Sequence, residues 1–168
     1  IIHIQFVEGD SFKLLAEKTT IQNFEIQPIR GNIYAQDGSL LATSVPRYTI
    51  HFDAATVSTS RFEEHVDALS DSLSQLLGKS ANFYYNTLVD AHKKQHRYRR
   101  IVKDLTYGQM TRLRTFPLFR LGGVRGGLVV ERKTVREKPL GKIAERTIGY
   151  EQEQPNGSYV RVGLEGAF

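Results

Sequence analysis

Apolar and polar residues alternate along the first part of the chain in a way that predicts β-strands. The alternation at Glu25–Ile29 belongs to a predicted long strand from about Phe24 to Tyr34. Asp37-Gly38 then predicts a two-residue hairpin turn, in which both positions need a positive φ that glycine adopts without steric cost. The chain returns through Leu40–Thr43. The pattern at 30–42 therefore predicts a strand, a turn and a returning strand.

Alternation resumes at Arg47–Asp53 after Pro46, which predicts a third strand separated from the second by the proline. Its aromatic and aliphatic side chains would share one face. His51 lies on the other, polar face, and no acidic residue or histidine stands at a suitable spacing. We therefore interpret His51 as a solvated strand residue and not as a metal ligand or a general base.

The middle of the chain has apolar residues at helical spacing. Ser58–Leu77 predicts the longest helix, and Gly78 predicts its C-terminal end. Ala81–His96 predicts a second helix with a basic end, and Thr106–Phe116 a third that Thr106 caps. Residues 9–20 predict a short amphipathic helix.

Strand-type sequence returns after these helices. Arg97–Asp104 predicts a strand, and Leu118–Leu121 and Val124–Glu131 predict strand material around paired glycines. Pro139–Thr147 predicts a short helix, followed by two strand-like arms around a turn at Pro155–Ser158. This order predicts the α+β class, with an elongated sheet platform built from both chain ends and an inserted helical lobe.

Composition limits the possible functions. The chain has 168 residues, 40% hydrophobic and 24% charged, which suits one globular domain or two small lobes. Its net charge of +5 permits an anionic partner without requiring one. It has no cysteine, which excludes a disulfide framework, thiol chemistry and zinc–cysteine sites. No apolar run reaches the ~18 residues that span a bilayer.

Candidate chemical motifs are weak. Gly78-Lys79-Ser80 resembles the end of a phosphate-binding loop, but the first glycine of that motif would have to be Leu73, inside a helix. His92 and His96 have the spacing of two metal ligands on a helix, yet the two lysines between them would repel a divalent cation. We interpret them as a solvated basic helix end. We predict no catalytic residue, no metal and no cofactor.

The basic segment Lys93–Lys103 allows two interpretations. Cations interleaved with Tyr98 are typical of nucleic-acid binding, which is the alternative function. A strand at Arg97–Asp104 would instead place the charges on a sheet edge, where they prevent unwanted pairing. We favour a surface that faces a protein or a membrane, with no nucleic-acid partner. Its candidate residues are Lys93, Lys94, Arg97, Arg99 and Arg100.

Three segments together resemble the N-terminal, non-catalytic module of class B penicillin-binding proteins. RGNIYAQDGSLLA at 30–42 resembles the family's first box, roughly RGxIxDRNGxxLA, except that Ala35-Gln36-Asp37 replaces Asp-Arg-Asn. The family's Asp–Arg salt link is therefore missing. Residues 136–150 resemble the second box, with Lys138 in place of the usual tyrosine, and GLEGAF at 163–168 resembles the third. The matching residues are Arg30, Gly31, Ile33, Gly38, Leu41, Ala42, Arg136, Pro139, Gly141, Gly149, Gly163, Leu164 and Glu165.

The resemblance implies a role without catalysis for this chain. Penicillin-binding transpeptidases need a Ser-x-x-Lys motif, which does not occur in the sequence. The family would place a serine-type D,D-transpeptidase domain after residue 168. It implies that Arg30 and Arg136 join the sheet layers, and that Leu164 and Glu165 help to dock this missing domain.

The resemblance also implies a domain division and a location. Residues 1–23 would be a juxtamembrane helix segment, 24–53 and 124–168 a sheet-rich pedestal, and 54–123 the inserted head lobe. A membrane helix before residue 1 would anchor the parent protein at the periplasmic face of the bacterial inner membrane. Expected partners are its own C-terminal transpeptidase domain, a membrane glycosyltransferase and morphogenesis or division proteins. Overall similarity favours a division-type enzyme.

Overall fold

The computed structural model describes residues 29–167. The predicted juxtamembrane helix and the beginning of the predicted long strand, at 24–28, lie outside the described residues. The described elements confirm the α+β class, and none of their helices has the length and apolarity needed to cross a membrane. In chain order they are β1 (Ile33–Tyr34), β2 (Leu40–Phe52), α1 (Thr59–Leu77), α2 (Ala81–Lys93), β3 (Arg99–Leu105), α3 (Tyr107–Leu113), α4 (Gly122–Gly126), β4 (Leu128–Glu137), α5 (Glu145–Ile148), β5 (Tyr150–Glu153), β6 (Tyr159–Val162) and α6 (Leu164–Ala167).

Strand β2 organises the larger sheet. It pairs antiparallel with β4 along ten residues, from Thr43 opposite Glu137 to Phe52 opposite Leu128. On its other side it pairs with β3 at Tyr48–Phe52, and near its start it pairs with β1. A strand from the first third of the chain therefore lies against one from the last third, so that residues far apart in sequence meet.

The predicted break at Pro46 is wrong, because β2 runs without interruption from Leu40 to Phe52. Pro46 lies opposite Thr134 of β4, while β1 ends its pairing at Ala42 and β3 begins at Tyr48. Proline lacks an N–H and is tolerated in a strand where one side of the ladder is open. The open side between β1 and β3 is such a place.

The helices between β2 and β4 pack against the end of this sheet near Phe52, and β3 from the same stretch belongs to the sheet itself. Helix α1 begins after Ser58 and ends at Gly78, whose φ of 80° closes the helix in the left-handed conformation. Helix α3 begins with a capping box between Thr106 and Gln109. The sheet and the helices together supply the core, and its fully buried side chains include Ile50, Phe52, Leu69, Leu73, Leu88, Leu113 and Phe119.

The predictions for the glycine-rich connection are wrong over 118–127. Phe119–Leu121 is a 3-10 turn, α4 follows it, and β4 begins only at Leu128. A side chain at Gly127 would place its Cβ 2.5 Å from the Asp53 carbonyl oxygen. Gly126 permits close packing against Leu118 and Gly127 permits it beside the end of β2, and the paired glycines do not mark bulges within a strand.

The C-terminal part differs from the predicted helix at Pro139–Thr147. Gly141 and Ala144 both adopt a positive φ, which interrupts a right-handed helix, so α5 covers only Glu145–Ile148. The two predicted strand-like arms form the hairpin β5–β6, a separate two-stranded antiparallel sheet. Helix α6 packs against this hairpin.

Candidate functional site

A buried carboxylate joins the two ends of the described chain. Glu165 in α6 accepts a hydrogen bond from Arg136 Nε at 2.7 Å and one from Arg30 Nη1 at 3.0 Å. Arg30 precedes β1 and Arg136 lies near the end of β4, so α6 is tied to two separate parts of the larger sheet. Arg30 Nη1 also donates to the Glu165 carbonyl oxygen at 2.6 Å. We call these residues, with Glu151, the Glu165 cluster.

Glu151 of β5 completes the Glu165 cluster. It forms an ion pair with Arg30 and a longer one, at 3.4 Å, with Arg161 of β6. Sequence reasoning missed this residue, because a single glutamate in a short polar strand has no distinguishing pattern. Its importance comes from the fold, which brings the hairpin next to Arg30.

Arg136 holds the first box through additional hydrogen bonds. Its Nη1 donates to the Gly31 carbonyl oxygen at 2.7 Å and to Ser44 Oγ at 3.0 Å. Ser44 Oγ in turn donates to the Arg30 carbonyl oxygen at 2.9 Å. The guanidinium group therefore spans the backbone before β1, the side chain of a β2 residue and the α6 carboxylate.

The burial of the Glu165 side chain determines how much the ion pairs of the Glu165 cluster contribute to stability. The Glu165 side chain is 4% exposed, against 21% for Arg136 and 32% for Arg30. A buried carboxylate is tolerated when charged donors satisfy its oxygens, and removing one partner leaves an uncompensated charge. The cluster has no hydroxyl or amine nucleophile beside a general base. Its geometry suits a rigid joint and not a reaction.

Two glycines allow the C-terminal segments to approach each other. Gly149 before β5 and Gly163 after β6 have φ values of 71° and 67°. A Cβ at Gly163 would lie 2.6 Å from the Thr147 carbonyl oxygen and 2.9 Å from the Gly149 Cα. A Cβ at Gly149 would overlap the Val162 carbonyl. Both positions need glycine for conformation and for space, and together they fix α6 against the hairpin.

The other motif residues lie in different surroundings. Gly38 lies in a turn at the predicted place with a φ of 80°, but Asp37 has no positive φ, so the predicted two-residue type is wrong. Ala42 is fully buried, whereas Ile33 and Leu41 are half-buried. Leu164 stays 38% exposed beside the Glu165 cluster. The remaining three, Gly31, Pro139 and Gly141, are exposed, and of these Gly31 contacts the cluster through its carbonyl oxygen, which accepts from Arg136.

At Ala35-Gln36-Asp37, where the family's salt link is missing, hydrogen bonds between Asp37 and Ser39 stabilise the turn. Asp37 accepts hydrogen bonds from the Ser39 hydroxyl at 2.6 Å and from the Ser39 backbone N–H at 3.0 Å. These bonds stabilise the carboxylate and lower the pKa of Asp37 below its usual value. An Asx turn thus closes the hairpin without the family's salt link.

The basic segment runs from the end of α2 into β3 and does not join the Glu165 cluster. Lys93, Arg97 and Arg100 are exposed. Lys94 forms an ion pair with Asp90 at 2.7 Å, which lowers the pKa of Asp90. Arg99 is half-buried, and its Nε has no hydrogen-bond partner among the described residues. The segment therefore offers separate charges and not one deep basic groove.

The interpretation of His51 as a solvated residue is wrong. His51 is 6% exposed, because the ring of Tyr98 stacks on it with centroids 3.8 Å apart. Its Nε2 lies 3.3 Å from a carboxylate oxygen of Glu131, to which the Tyr98 hydroxyl donates at 3.2 Å. Glu131 lies on β4, which pairs with β2, so the acidic neighbour is remote in sequence.

The interpretation of His92 as a solvated helix end is wrong for the same kind of reason. His92 is 9% exposed and stacks on Phe62 of α1, with ring centroids 4.2 Å apart. This contact directs the His92 side chain into the hydrophobic core beside α1 and away from the solvent-facing side of α2. Within residues 29–167 no group of His, Asp and Glu has the arrangement of a metal site.

The chain matches one family model and is similar to two solved structures. A family model described as penicillin-binding protein dimerisation domain matches residues 25–162. No curated protein matches the sequence. The crystal structure of penicillin-binding protein 2X from Streptococcus thermophilus is similar at 26% identity, with a TM-score of 0.62, over 84% of this chain and 22% of that one. A peptidoglycan synthetase from Bifidobacterium adolescentis has 22% identity and a TM-score of 0.44, over 83% and 27%.

Proposed function

The chain belongs to the penicillin-binding protein dimerisation domain family, and we propose that it is the periplasmic pedestal of a serine-type D,D-transpeptidase. In this role it performs no chemistry itself. It positions the catalytic domain of a protein that cross-links peptidoglycan during bacterial cell-wall synthesis and cell division. The domain family is non-catalytic, and the sequence has no Ser-x-x-Lys motif.

The observation that carries this proposal is the Glu165 cluster. Arg30 lies at the start of the described chain and Glu165 near its end, 135 residues apart. A load that reaches the pedestal at Arg30 is thus transmitted directly to α6 and not only through the intervening chain. Because α6 would lead into the catalytic domain, its fixed direction would set the orientation of that domain.

A surface of exposed apolar side chains surrounds α6 and suits contact with the catalytic domain. Val160 and Val162, which share one face of β6, and Leu164 of α6 are all more than a third exposed. Such neighbouring apolar side chains commonly mark an interaction surface. We assign this face to the parent's own transpeptidase domain.

The proposed division of the chain follows the predicted one. Residues 24–53 and 124–168 serve as the pedestal, and 54–123 as the head lobe that contacts a membrane glycosyltransferase and morphogenesis or division proteins. Residues 1–23 lie next to the membrane, with the anchoring helix before residue 1. The exposed cations Lys93, Arg97 and Arg100 give the head lobe a charged face for such partners.

Labelling with a fluorescent penicillin tests the absence of catalysis in this chain. The full-length parent should be acylated and retain the label after denaturation. The isolated chain 1–168 should remain unlabelled, since it lacks the nucleophile. Covalent labelling of the isolated chain would contradict a non-catalytic role, and a parent that resists labelling would contradict the transpeptidase assignment.

A further inference from the structure

A cavity of about 320 Å³ lies between the end of α3, the 3-10 turn that follows it and the beginning of β4. Phe119 and Leu128, whose side chains are almost completely buried, give it an apolar floor. Val130 lines it from the same face of β4 as Leu128. Two exposed arginines also line it, Arg114 directly after α3 and Arg120 in the 3-10 turn. The cavity therefore combines an apolar floor with two cationic side chains.

A third arginine lies on the same face of β4. Arg132 follows Val130 by two residues, so its side chain lies next to the cavity on the side of the sheet that carries Val130. In the pairing of β2 with β4 it is opposite Tyr48, whose ring contacts Tyr107 of α3 with centroids 6.2 Å apart. Arg132 therefore lies on the side of the sheet that α3 covers. We call the three cations the arginine rim: Arg114, Arg120 and Arg132.

No carboxylate of the described chain neutralises the arginine rim. Residues 105–130 contain four arginines and neither aspartate nor glutamate. Glu131, the next residue, lies on the opposite face of β4, where its carboxylate accepts a hydrogen bond from the Tyr98 hydroxyl at 3.2 Å and lies 3.3 Å from His51 Nε2. Among residues 29–167, no ion pair includes a member of the arginine rim.

These unpaired charges indicate an anionic ligand. Arginines gathered without counter-charges repel one another and raise the positive potential of the surface, which a bound anion relieves. Their planar guanidinium groups bind carboxylates through pairs of parallel hydrogen bonds. The C-terminal end of α3 favours a cation at Arg114, but Arg132 lies on a strand, so a helix dipole does not account for the group.

The size and the floor of the cavity distinguish between anionic partners. Its volume is near the lower limit of about 300 Å³ for ligand sites, which suits one or two side chains. A bilayer surface presents its headgroups in a plane and would leave the floor at Phe119 and Leu128 uncovered. The side chains of a protein segment can place a carboxylate at the arginine rim and an aliphatic group on the floor.

We propose that the cavity binds an acidic, extended segment of a partner protein, with carboxylates on the arginine rim and an aliphatic side chain on the apolar floor. The inference rests on the proposed function, in which the head lobe contacts other proteins, and it states the chemistry of one such partner. Alternate residues of an extended segment point to the same side. The segment that fits therefore has acidic and aliphatic residues two positions apart.

The test measures binding of a rhodamine-labelled peptide to the full-length protein by fluorescence anisotropy at low salt. The peptide, Gly-Glu-Ser-Leu-Ser-Glu-Gly with an amidated C-terminus, places two carboxylates and a leucine on one side. The double variant Arg114→Gln, Arg120→Gln should bind it roughly tenfold more weakly, because two charge-assisted contacts are lost. Both positions are exposed, so the variant should keep its fold. The matched control Arg97→Gln, Arg100→Gln removes the same charge from exposed positions outside the cavity and should leave binding unchanged.

Two altered peptides separate the charge from the apolar contact. With both glutamates replaced by glutamine, the peptide should bind more weakly and should no longer distinguish the wild-type protein from the double variant. With the leucine replaced by serine, it should bind more weakly yet remain sensitive to the double variant. An excess of unlabelled original peptide should displace the labelled one, whereas the same excess of glycerol phosphate, the charged group of anionic phospholipids, should not.

Any of three results would overturn the inference. Undetectable binding of the original peptide by the wild-type protein removes the site. Binding that is unchanged in the Arg114, Arg120 variant, or lost in the Arg97, Arg100 variant, locates the acidic segment elsewhere. Displacement by glycerol phosphate, with no effect of the leucine, identifies a lipid headgroup as the occupant. Penicillin labelling of the parent is measured independently, so a labelled parent that does not bind the peptide refutes this inference and leaves the proposed function intact.

Discussion

Glu165 accepts a hydrogen bond from Arg136 Nε at 2.7 Å, which joins the last described helix to β4. Arg136 simultaneously donates to the backbone before β1 and to Ser44 of β2. One guanidinium group therefore connects three segments that the chain order keeps apart. This connection, with Arg30 on the other oxygen of Glu165, gives the pedestal a fixed C-terminal direction.

Replacing Glu165 by alanine should lower the free energy of unfolding by about 2–4 kcal/mol, because Arg30 and Arg136 lose a buried counter-charge. Glu165→Gln should lower it by less, since the amide oxygen still accepts one hydrogen bond. Urea unfolding of the two variants and the wild-type protein measures this order. Glu63→Ala, at an exposed glutamate of α1, should change stability by less than about 0.5 kcal/mol. Equal effects at positions 165 and 63 would show that the cluster contributes nothing.

Gly149→Ala should destabilise the protein far more than Gly141→Ala, although both glycines have a positive φ. Gly141 has no heavy atom within 4 Å of an added Cβ, so its substitution incurs only the left-handed strain of about 1–2 kcal/mol. At Gly149 the new methyl group would collide with the Val162 backbone, which should raise the loss to about 3–5 kcal/mol. Thermal unfolding compares the two, and similar losses would refute the close approach of Gly149 and Gly163.

Tyr84 should contribute to alkaline unfolding. Burial raises the pKa of its hydroxyl above the usual 10, because the folded protein disfavours the phenolate. The folded state therefore retains this proton to higher pH than the unfolded state. The associated stability is fully present below pH ~10 and is lost as the pH rises through the raised pKa of the folded state.

Substituting Tyr84 by phenylalanine removes that titration, so the midpoint of alkaline unfolding should move to higher pH. Circular dichroism followed between pH 8 and 12 gives the midpoint. Tyr85→Phe, at a more exposed neighbour in the same helix, serves as the control. A downward shift for Tyr84→Phe would mean that the hydroxyl stabilises the folded protein at high pH, opposite to the predicted sign.

The basic segment of the head lobe should not bind nucleic acid at physiological salt. Lys94 is already paired with Asp90, and the remaining cations are scattered over α2 and β3. Fluorescence anisotropy with a labelled single-stranded oligonucleotide tests this, with Arg97→Gln, Arg100→Gln as the variant. Affinity that falls steeply with added salt and is lost in the variant would favour the nucleic-acid alternative.

Local patterns predicted those elements whose stability is local. The apolar spacing of α1, its glycine stop and the Thr106 cap of α3 depend on neighbours within a few residues, and all three occur in the structure. The position of the Asp37-Gly38 turn is of the same kind, but not its type. Sequence spacing is sufficient in such cases because the contacting residues are close along the chain.

The errors occurred where distant segments decide the environment. His51 was predicted to be solvated because Glu131 and Tyr98 are remote in sequence, yet β3 and β4 bring both beside it. Pro46 was predicted to end a strand, but the open side of β2 accommodates it. Three motif residues, Arg30, Arg136 and Glu165, could be named from the family's boxes. Their mutual contact and the participation of Glu151 required the folded structure.

The most direct test of the pedestal role is the distance distribution between pedestal and catalytic domain in the full-length protein. Spin labels at Gln75 of α1, an exposed position, and on the catalytic domain report it by pulsed electron–electron double resonance. A narrow distribution in the wild-type protein should broaden in Glu165→Ala and remain narrow in Glu63→Ala. A distribution in Glu165→Ala as narrow as the wild-type one, at the same mean distance, would contradict the claim that the Glu165 cluster orients the catalytic domain.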